Sequence, residues 1–289
     1  MTLLQSSLQS LFKTTFKATE TIAPQLANKW AIRLFFTPKN HHRPSQEERL
    51  LTGARIEKVK FDGFYARATK KSYYVTYRWG VGPTILLVHG WAGRGSQLVS
   101  LVPPLVEAGY SVITFDAPAH GNSPGKQTNF LEVAKIIKEL EAASGGFDTI
   151  IGHSFGGVVA GYALNNGVRA QRLVTIGAPS TMEFVLTEFA KQIQASDKTV
   201  QTLVRYIEAV TQLDIEAFSL TYLAGNLDIP GLIIHDKNDR AVHYSQAIEL
   251  SKCWPDGELI LTEGLGHRRI LNDADIIARI VDFTRLPVT

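Results

Sequence analysis

Asp148-Thr149-Ile150-Ile151-Gly152-His153-Ser154-Phe155-Gly156-Gly157-Val158-Val159-Ala160-Gly161-Tyr162-Ala163-Leu164 decides how the rest of the chain is read. A short apolar run ends in Gly-x-Ser-x-Gly and leads into a second, longer apolar run. Together they predict a strand, a sharp turn and a helix, with Ser154 at the apex. Such a turn forces the serine into a backbone geometry that a side chain two residues either way would obstruct. Gly152 and Gly156 remove the obstruction. The hydroxyl is then exposed at the carboxyl end of a central strand, beside the positive end of a helix dipole.

Working outward, the same alternation repeats. Apolar strand-like runs occur at residues 84–88, 110–115, 171–176, 231–235 and 258–261. Between them lie helix-like stretches at 96–108, irregular around Pro103-Pro104, and at 130–143, where Leu131, Ala134, Ile137 and Leu140 share one face. Ahead of them, Ile56, Val59 and Phe61 mark one strand. Tyr73, Val75, Tyr77 and Trp79 alternate in a second, with Lys70-Lys71-Ser72 as the turn. Continuous apolar strands joined by helices predict an α/β fold with a mostly parallel sheet covered by helices on both faces.

The alternation breaks between 180 and 227. There Phe184, Phe189, Ile193, Leu203, Ile207, Leu213, Phe218 and Leu223 supply more apolar positions than a crossover needs, which predicts a helical insertion. Residues 1–50 form a separate unit, an N-terminal helical extension and linker, with the main domain at 51–289. Leu4, Leu8, Leu11, Phe12 and Phe16 make one helical stripe. A second helix carries Leu26, Trp30, Ile32, Leu34 and Phe35 and stops before Pro38; residues 40–49 read as a polar linker. Packing of these helices on the main domain or on a second subunit is favoured over a membrane-surface helix, because Lys13 and Lys17 are the only basic residues before Glu20. The apolar arm leaves homo-oligomerisation open.

Composition narrows the class. The 289 residues are 45% hydrophobic and 20% charged, a core-forming balance. A net charge of +3 with dispersed basic residues gives no footprint for nucleic acid. One cysteine, Cys253, permits no disulfide within the chain and is compatible with a reducing, cytoplasmic setting. No Cys/His cluster has metal-ligand spacing, and His41-His42 reads as a solvated doublet. Neither an apolar run of membrane-spanning length nor a cleavable signal pattern is found.

A serine hydroxyl needs a base to take its proton, and the base needs a partner to orient it. The acid candidate is Asp239, in the loop after the 231–235 strand. Asp236 is its rival, better suited to a turn role. The base candidate is His267, in Gly264-Leu265-Gly266-His267, the one histidine after the final strand. His153 adjoins the serine, but the turn should point it elsewhere; His243 follows Asp239 too closely. The two N–H groups that would receive an oxyanion are those of Phe155 and Trp91, the latter in His89-Gly90-Trp91-Ala92-Gly93.

These motifs, in this order, resemble the α/β-hydrolase superfamily from about residue 54 onward. The matching pieces are His89-Gly90-Trp91, Gly152-His153-Ser154-Phe155-Gly156-Gly157, Asp239 with Val242, and Gly266-His267. Phe115-Asp116-Ala117-Pro118-Ala119-His120-Gly121-Asn122-Ser123 resembles a further family segment, with alanine and histidine where glycines are often found; Asp116, His120 and Ser123 are read as structural. The resemblance implies a lid or cap at 180–227 and acyl transfer to water through an acyl-serine. That route needs no metal or organic cofactor. The expected substrate is a small-molecule ester or thioester with an apolar acyl group. C–C bond hydrolysis, lactonase or amidase chemistry on the same triad is the alternative, and a ligand-binding or sensing protein the alternative of another class.

Overall fold

Strands that are apolar at every position must be covered on both faces, and the observed sheet meets that demand. The computed structural model describes residues 3–39, 47, 51–65 and 72–287. Its strands are β1 (Arg55–Lys60), β2 (Tyr73–Trp79), β3 (Thr84–Val88), β4 (Ser111–Asp116), β5 (Phe147–His153), β6 (Ala170–Ile176), β7 (Gly231–Asp236) and β8 (Gly257–Thr262). They form one eight-stranded sheet in the order β1-β2-β4-β3-β5-β6-β7-β8. β2 runs antiparallel to both neighbours, and all other pairs are parallel. β3, β4 and β7 are buried throughout, whereas edge strand β1 is largely exposed.

The helices are α1 (Leu3–Ile22), α2 (Pro24–Phe35), α3 (Val102–Glu107), α4 (Phe130–Ser144), α5 (Phe155–Asn165), α6 (Met182–Ile193), α7 (Asp197–Thr211), α8 (Leu220–Ala224), α9 (Ser245–Cys253), α10 (Gly266–Arg269) and α11 (Ala274–Thr284). On one face of the sheet, Val133, Ile137 and Val159 pack against Leu86, Ile113 and Ile150. On the other, Leu98, Leu105 and Ile280 pack against Ile85, Leu87 and Ile234. α4 starts at a reciprocal cap. The Asn129 side chain accepts the Glu132 N–H at 2.8 Å and the Glu132 carboxylate accepts the Asn129 N–H at 3.3 Å.

The helix expected at 96–108 is two pieces, a 3-10 helix at Gly95–Leu101 followed by α3. Pro103 and Pro104 have no N–H to continue the preceding turn, so the helix restarts with them in its first turn.

Between β6 and β7 the chain forms α6, α7, a 3-10 turn at Ile215–Phe218 and α8. Their apolar faces gather Met182, Leu186, Leu203, Ile207 and Phe218 into a cluster of their own. α1 and α2 pack on this insertion rather than on the sheet. Phe16, Ala27 and Ala31 close over Ile193, and the Phe35 and Phe189 rings lie 5.1 Å apart. Glu20 fastens the arm by accepting from the Ser196 N–H at 2.9 Å and the Thr199 hydroxyl at 2.6 Å. The sequence reading had these helices pack on the main domain or on a second subunit; they pack on the insertion, which is part of that domain, through the apolar outer face of α6. The His41-His42 doublet, Lys70-Lys71, the side chains of Leu4 and Leu8, and the linker apart from Glu47 lie outside the described residues. No helix among the described residues is long and apolar enough to cross a membrane.

Candidate active site

The chain leaves β3 for β4 on one side and then crosses to β5 on the other. The crevice at the carboxyl ends of β3 and β5 is therefore a topological switch point, where such sheets bind ligands. Ser154 sits there, between β5 and α5, with φ 53° and ψ −123°. A serine in the left-handed region is strained and persists only when its surroundings hold it. Its N–H donates to the Ile176 carbonyl at 2.8 Å, and its carbonyl accepts the Gly157 N–H at 3.0 Å. A Cβ on Gly156 would fall 2.2 Å from the Val88 carbonyl oxygen, so α5 can begin this close to β3 only with glycine there.

The carboxyl ends of β7 and β8 bring the other two predicted residues together. His267 Nδ1 lies 2.6 Å from Asp239 Oδ2. The Asp239 side chain is almost wholly buried, that of His267 partly exposed at 18%. Asp239 Oδ1 accepts the N–H groups of Ala241 and Val242 at 2.8 and 3.0 Å. Burial opposes the charge on Asp239. Hydrogen bonds from His235, His267 and Val242 outweigh it and hold the carboxyl well below the usual carboxylate range. The His267–Asp239 bond assigns the proton on Nδ1, leaving Nε2 as the basic atom.

The rival acid, Asp236, is occupied otherwise. It accepts the Asn238 and Leu265 N–H groups at 2.9 and 3.0 Å and the Thr262 hydroxyl at 2.7 Å, and so ties the β7 and β8 loops together. His267 lies in the short helix α10 rather than in a free loop. The Arg269 side chain donates to the Leu265 and Gly264 carbonyls at 3.0 and 2.6 Å and fixes that turn.

Phe155 opens α5, where the first N–H groups have no intrahelical acceptor. Trp91 belongs to a tight turn closed by Gly93 N–H to the Gly90 carbonyl at 2.9 Å, with Ala92 at φ 55°. A Cβ on Gly90 would come 3.1 Å from Ser154 Cβ, so this turn abuts the serine. The Trp91 and Phe155 rings meet at 5.4 Å. From Phe155 the aromatic contacts continue to Phe130 at 5.8 Å and from Phe130 to Phe218 at 5.2 Å, reaching the inserted helices.

Four histidines make contacts that residue spacing alone did not locate; one of them, His120, had been read as structural and is so. His153 was expected to point elsewhere than the serine, and its Nε2 donates to the His267 carbonyl at 2.9 Å. His235, fully buried, donates Nε2–H to the Val242 carbonyl at 2.9 Å and comes within 3.5 Å of Asp239 Oδ2. His120 accepts the Ala92 N–H at 3.1 Å, and His89 accepts the Ala117 N–H at 3.1 Å, so both brace the Trp91 turn. Burial pushes His89 down to about 4 and His120 and His153 down to about 3, which keeps all three neutral. Their signal in the sequence was position at strand ends or beside motif glycines, which shows nothing about where a ring points.

Asp116 and Ser123 act as read from the sequence. Asp116 accepts the Gly95 and Asn122 N–H groups at 2.8 Å each, and Ser123 donates to the Asp116 carbonyl at 2.5 Å. Among the described residues no group of three or more His, Cys, Asp or Glu side chains is arranged to hold a metal ion.

The strand order, the strained serine and the converging loops define an α/β-hydrolase-fold protein. Residues 83–223, just under half of the chain, match the family model described as alpha/beta hydrolase fold, and the sheet order agrees with that fold. A pimeloyl-[acyl-carrier protein] methyl ester esterase of Aeromonas hydrophila is 32% identical over 102 residues, 35% of this chain and 40% of that protein. Serine hydrolase-like protein 2 of Homo sapiens is 26% identical over 200 residues, 59% of this chain and 62% of that protein. This chain thus matches less than two thirds of the length of either relative. In three dimensions, an esterase of Pyrococcus furiosus superposes with a TM-score of 0.62 at 18% identity, over 86% of this chain and 95% of that one. An esterase of Exiguobacterium antarcticum superposes at 0.58 and 18% identity, over 78% and 100%.

Proposed function

We propose that this chain is a serine hydrolase that cleaves carboxylic esters or thioesters of apolar acyl groups. The observation that carries the reading is the 2.6 Å contact between His267 and Asp239, made by loops that meet beside the elbow of Ser154.

In this reading His267 Nε2 takes the Ser154 proton as the hydroxyl oxygen attacks the substrate carbonyl carbon. Asp239, held ionised, stabilises the imidazolium that results. The N–H groups of Phe155 and Trp91 receive the oxyanion, in a position fixed before substrate arrives. His267 then returns the proton to the departing alkoxide or thiolate, leaving an acyl-serine. Water, deprotonated by His267, attacks that ester; the acid is released and Ser154 regains its proton. Every step uses protein groups and water.

The apolar preference rests on the aromatic contacts from Trp91 through Phe155 and Phe130 to Phe218. In the proposal the helices at 180–227 serve as a cap over the acyl group, which supplies the outer wall of that aromatic surface. The single cysteine suits a reducing, cytoplasmic setting. The ester-cleaving name of the Aeromonas relative is consistent with this chemistry.

A chain-length series of p-nitrophenyl esters and acyl thioesters, run with the wild type and Ser154→Ala, tests the reading. Turnover by the wild type, abolished by the substitution, is the expected result. Undiminished turnover by Ser154→Ala would remove the acyl-serine from the mechanism.

A further inference from the structure

Arg94 lies three residues beyond Trp91 and its side chain is only 6% exposed. A buried guanidinium needs a carboxylate. The partner is Glu47, from the segment that joins α2 to β1. Arg94 Nε donates to Glu47 Oε2 and the Arg94 terminal nitrogen to Glu47 Oε1, both at 2.7 Å. The Ser96 hydroxyl, itself buried, donates to Glu47 Oε2 at 2.7 Å. This is a two-pronged, charge-assisted contact with a third donor, the strongest and most directional arrangement open to a carboxylate.

What the contact holds is the turn that carries Trp91. That turn is strained, since Ala92, not glycine, occupies φ 55°. From the sheet side it is braced by His120 on the Ala92 N–H, at 3.1 Å, and by Asp116 on the Gly95 N–H, at 2.8 Å. Glu47 closes it from the outside, through the two residues that flank Gly95. Among the described residues it is the one contact by which the segment 40–50 reaches the Trp91 loop.

We infer that Glu47 is a positioning residue for the oxyanion-binding turn, and that this residue, ahead of the sheet in the chain, is therefore part of the site. The inference rests on the serine-hydrolase reading for its kinetic consequence, but not for its structural one.

The test uses the full chain with Glu47→Ala and, because that variant leaves Arg94 buried without a partner, the milder Ser96→Ala as well. Three quantities are measured. The first is kcat and KM on a p-nitrophenyl ester. The second is Ki for a trifluoromethyl ketone, which adds the Ser154 oxygen to its carbonyl carbon and places the resulting O⁻ on the turn. The third is hydrogen exchange of the Ala92, Gly93 and Gly95 amides. Glu47→Ala is expected to lower kcat by about tenfold to a hundredfold with KM little changed. Ki should rise by a similar factor, and the three amides should exchange faster. Ser96→Ala should move all three readouts in the same direction by less.

Folded variants with wild-type kcat, Ki and exchange would overturn the inference. So would a loss carried by KM with Ki unchanged, or faster exchange without a change in kcat. If Glu47→Ala does not fold, Ser96→Ala alone decides. Should the wild type hydrolyse no ester, the serine-hydrolase reading fails, and the exchange rates still judge whether Glu47 holds the turn.

Discussion

His153 Nε2 lies 2.9 Å from the carbonyl oxygen of His267, so the residue beside the elbow serine holds the backbone that carries the imidazole. The rings of the two histidines are 4.6 Å apart. The elbow and the proposed base are thus parts of one packed unit, although 114 positions separate His153 from His267. His153→Ala removes this tie and leaves the Asp239 contact in place. Displacing a catalytic group by as little as an ångström costs on the order of a hundredfold in rate. Steady-state kinetics on a p-nitrophenyl ester should give a kcat reduced by about tenfold to a hundredfold; a wild-type kcat would mean that the Asp239 bond suffices to aim the ring.

Gly177, at the end of β6, faces the same pair. It has φ +59°, and a Cβ there would come 3.2 Å from His267 Nδ1 and 3.4 Å from Asp239 Oδ2. Gly177→Ala therefore meets both backbone strain, roughly 1–2 kcal/mol for an L-residue in the left-handed region, and a tight contact that the His267 ring must yield to by a few tenths of an ångström. Thermal unfolding should show a lower Tm and kinetics a lower kcat. A variant that loses stability but keeps full kcat would show that the imidazole gives way without cost.

The two neighbouring aspartates separate by readout. Asp239→Asn keeps the shape and removes the charge that selects the imidazole tautomer, a change worth about 10⁴ in kcat for such a triad. Asp236→Asn disturbs a carboxylate that accepts two backbone N–H groups and the Thr262 hydroxyl across the β7 and β8 loops. Its main cost should be stability, about 1–3 kcal/mol by the usual penalty for an impaired buried acceptor. Kinetics and urea unfolding of both variants, side by side, check the assignment. A reversed pattern would exchange the roles of the two residues.

Acid should destabilise the fold early. His89, His120 and His153 are held neutral, with folded values pushed to about 4, 3 and 3 by burial. Unfolded, each binds a proton near pH 6.5. Between those limits the unfolded chain carries more protons, so stability rises with pH and falls as pH drops below about 6.5. Each histidine contributes a slope of up to about 1.4 kcal/mol per pH unit in that window. Asp239, lowered in the fold, adds a loss of the same sign below the ordinary aspartate range. Urea midpoints measured from pH 7.5 to 4.5 should decline steeply, and His120→Asn should flatten the decline. A midpoint independent of pH over this range would contradict the burial of these rings.

Much of this arrangement could be read in the chain before folding. The apolar strands and their alternation with helices predicted a parallel sheet because burial on both faces leaves no room for polar alternation. Gly-x-Ser-x-Gly predicted the elbow because only glycine tolerates the approach that puts a Cβ position at 156 within 2.2 Å of Val88. Order along the chain pointed to Asp239 and His267, whose side chains the fold brings to 2.6 Å of each other. Pro103 and Pro104 likewise marked the 96–108 helix as irregular, where the structure splits it into a 3-10 helix at Gly95–Leu101 and α3. The sequence could not say which way rings turn: His153 found the His267 carbonyl, and His235 and His120 gained their partners only across loops.

Local chemistry, then, was determined by the sequence alone: strand, elbow, cap and turn each follow from neighbours within a few residues. The tertiary structure decided every contact between residues far apart in the chain, such as Glu47 with Arg94, His153 with His267, and Glu20 with Thr199. The physical reason is that a buried donor or charge must find a partner somewhere. The sequence states that need, but only the packed chain fixes which of several chemically adequate groups lies within hydrogen-bond reach.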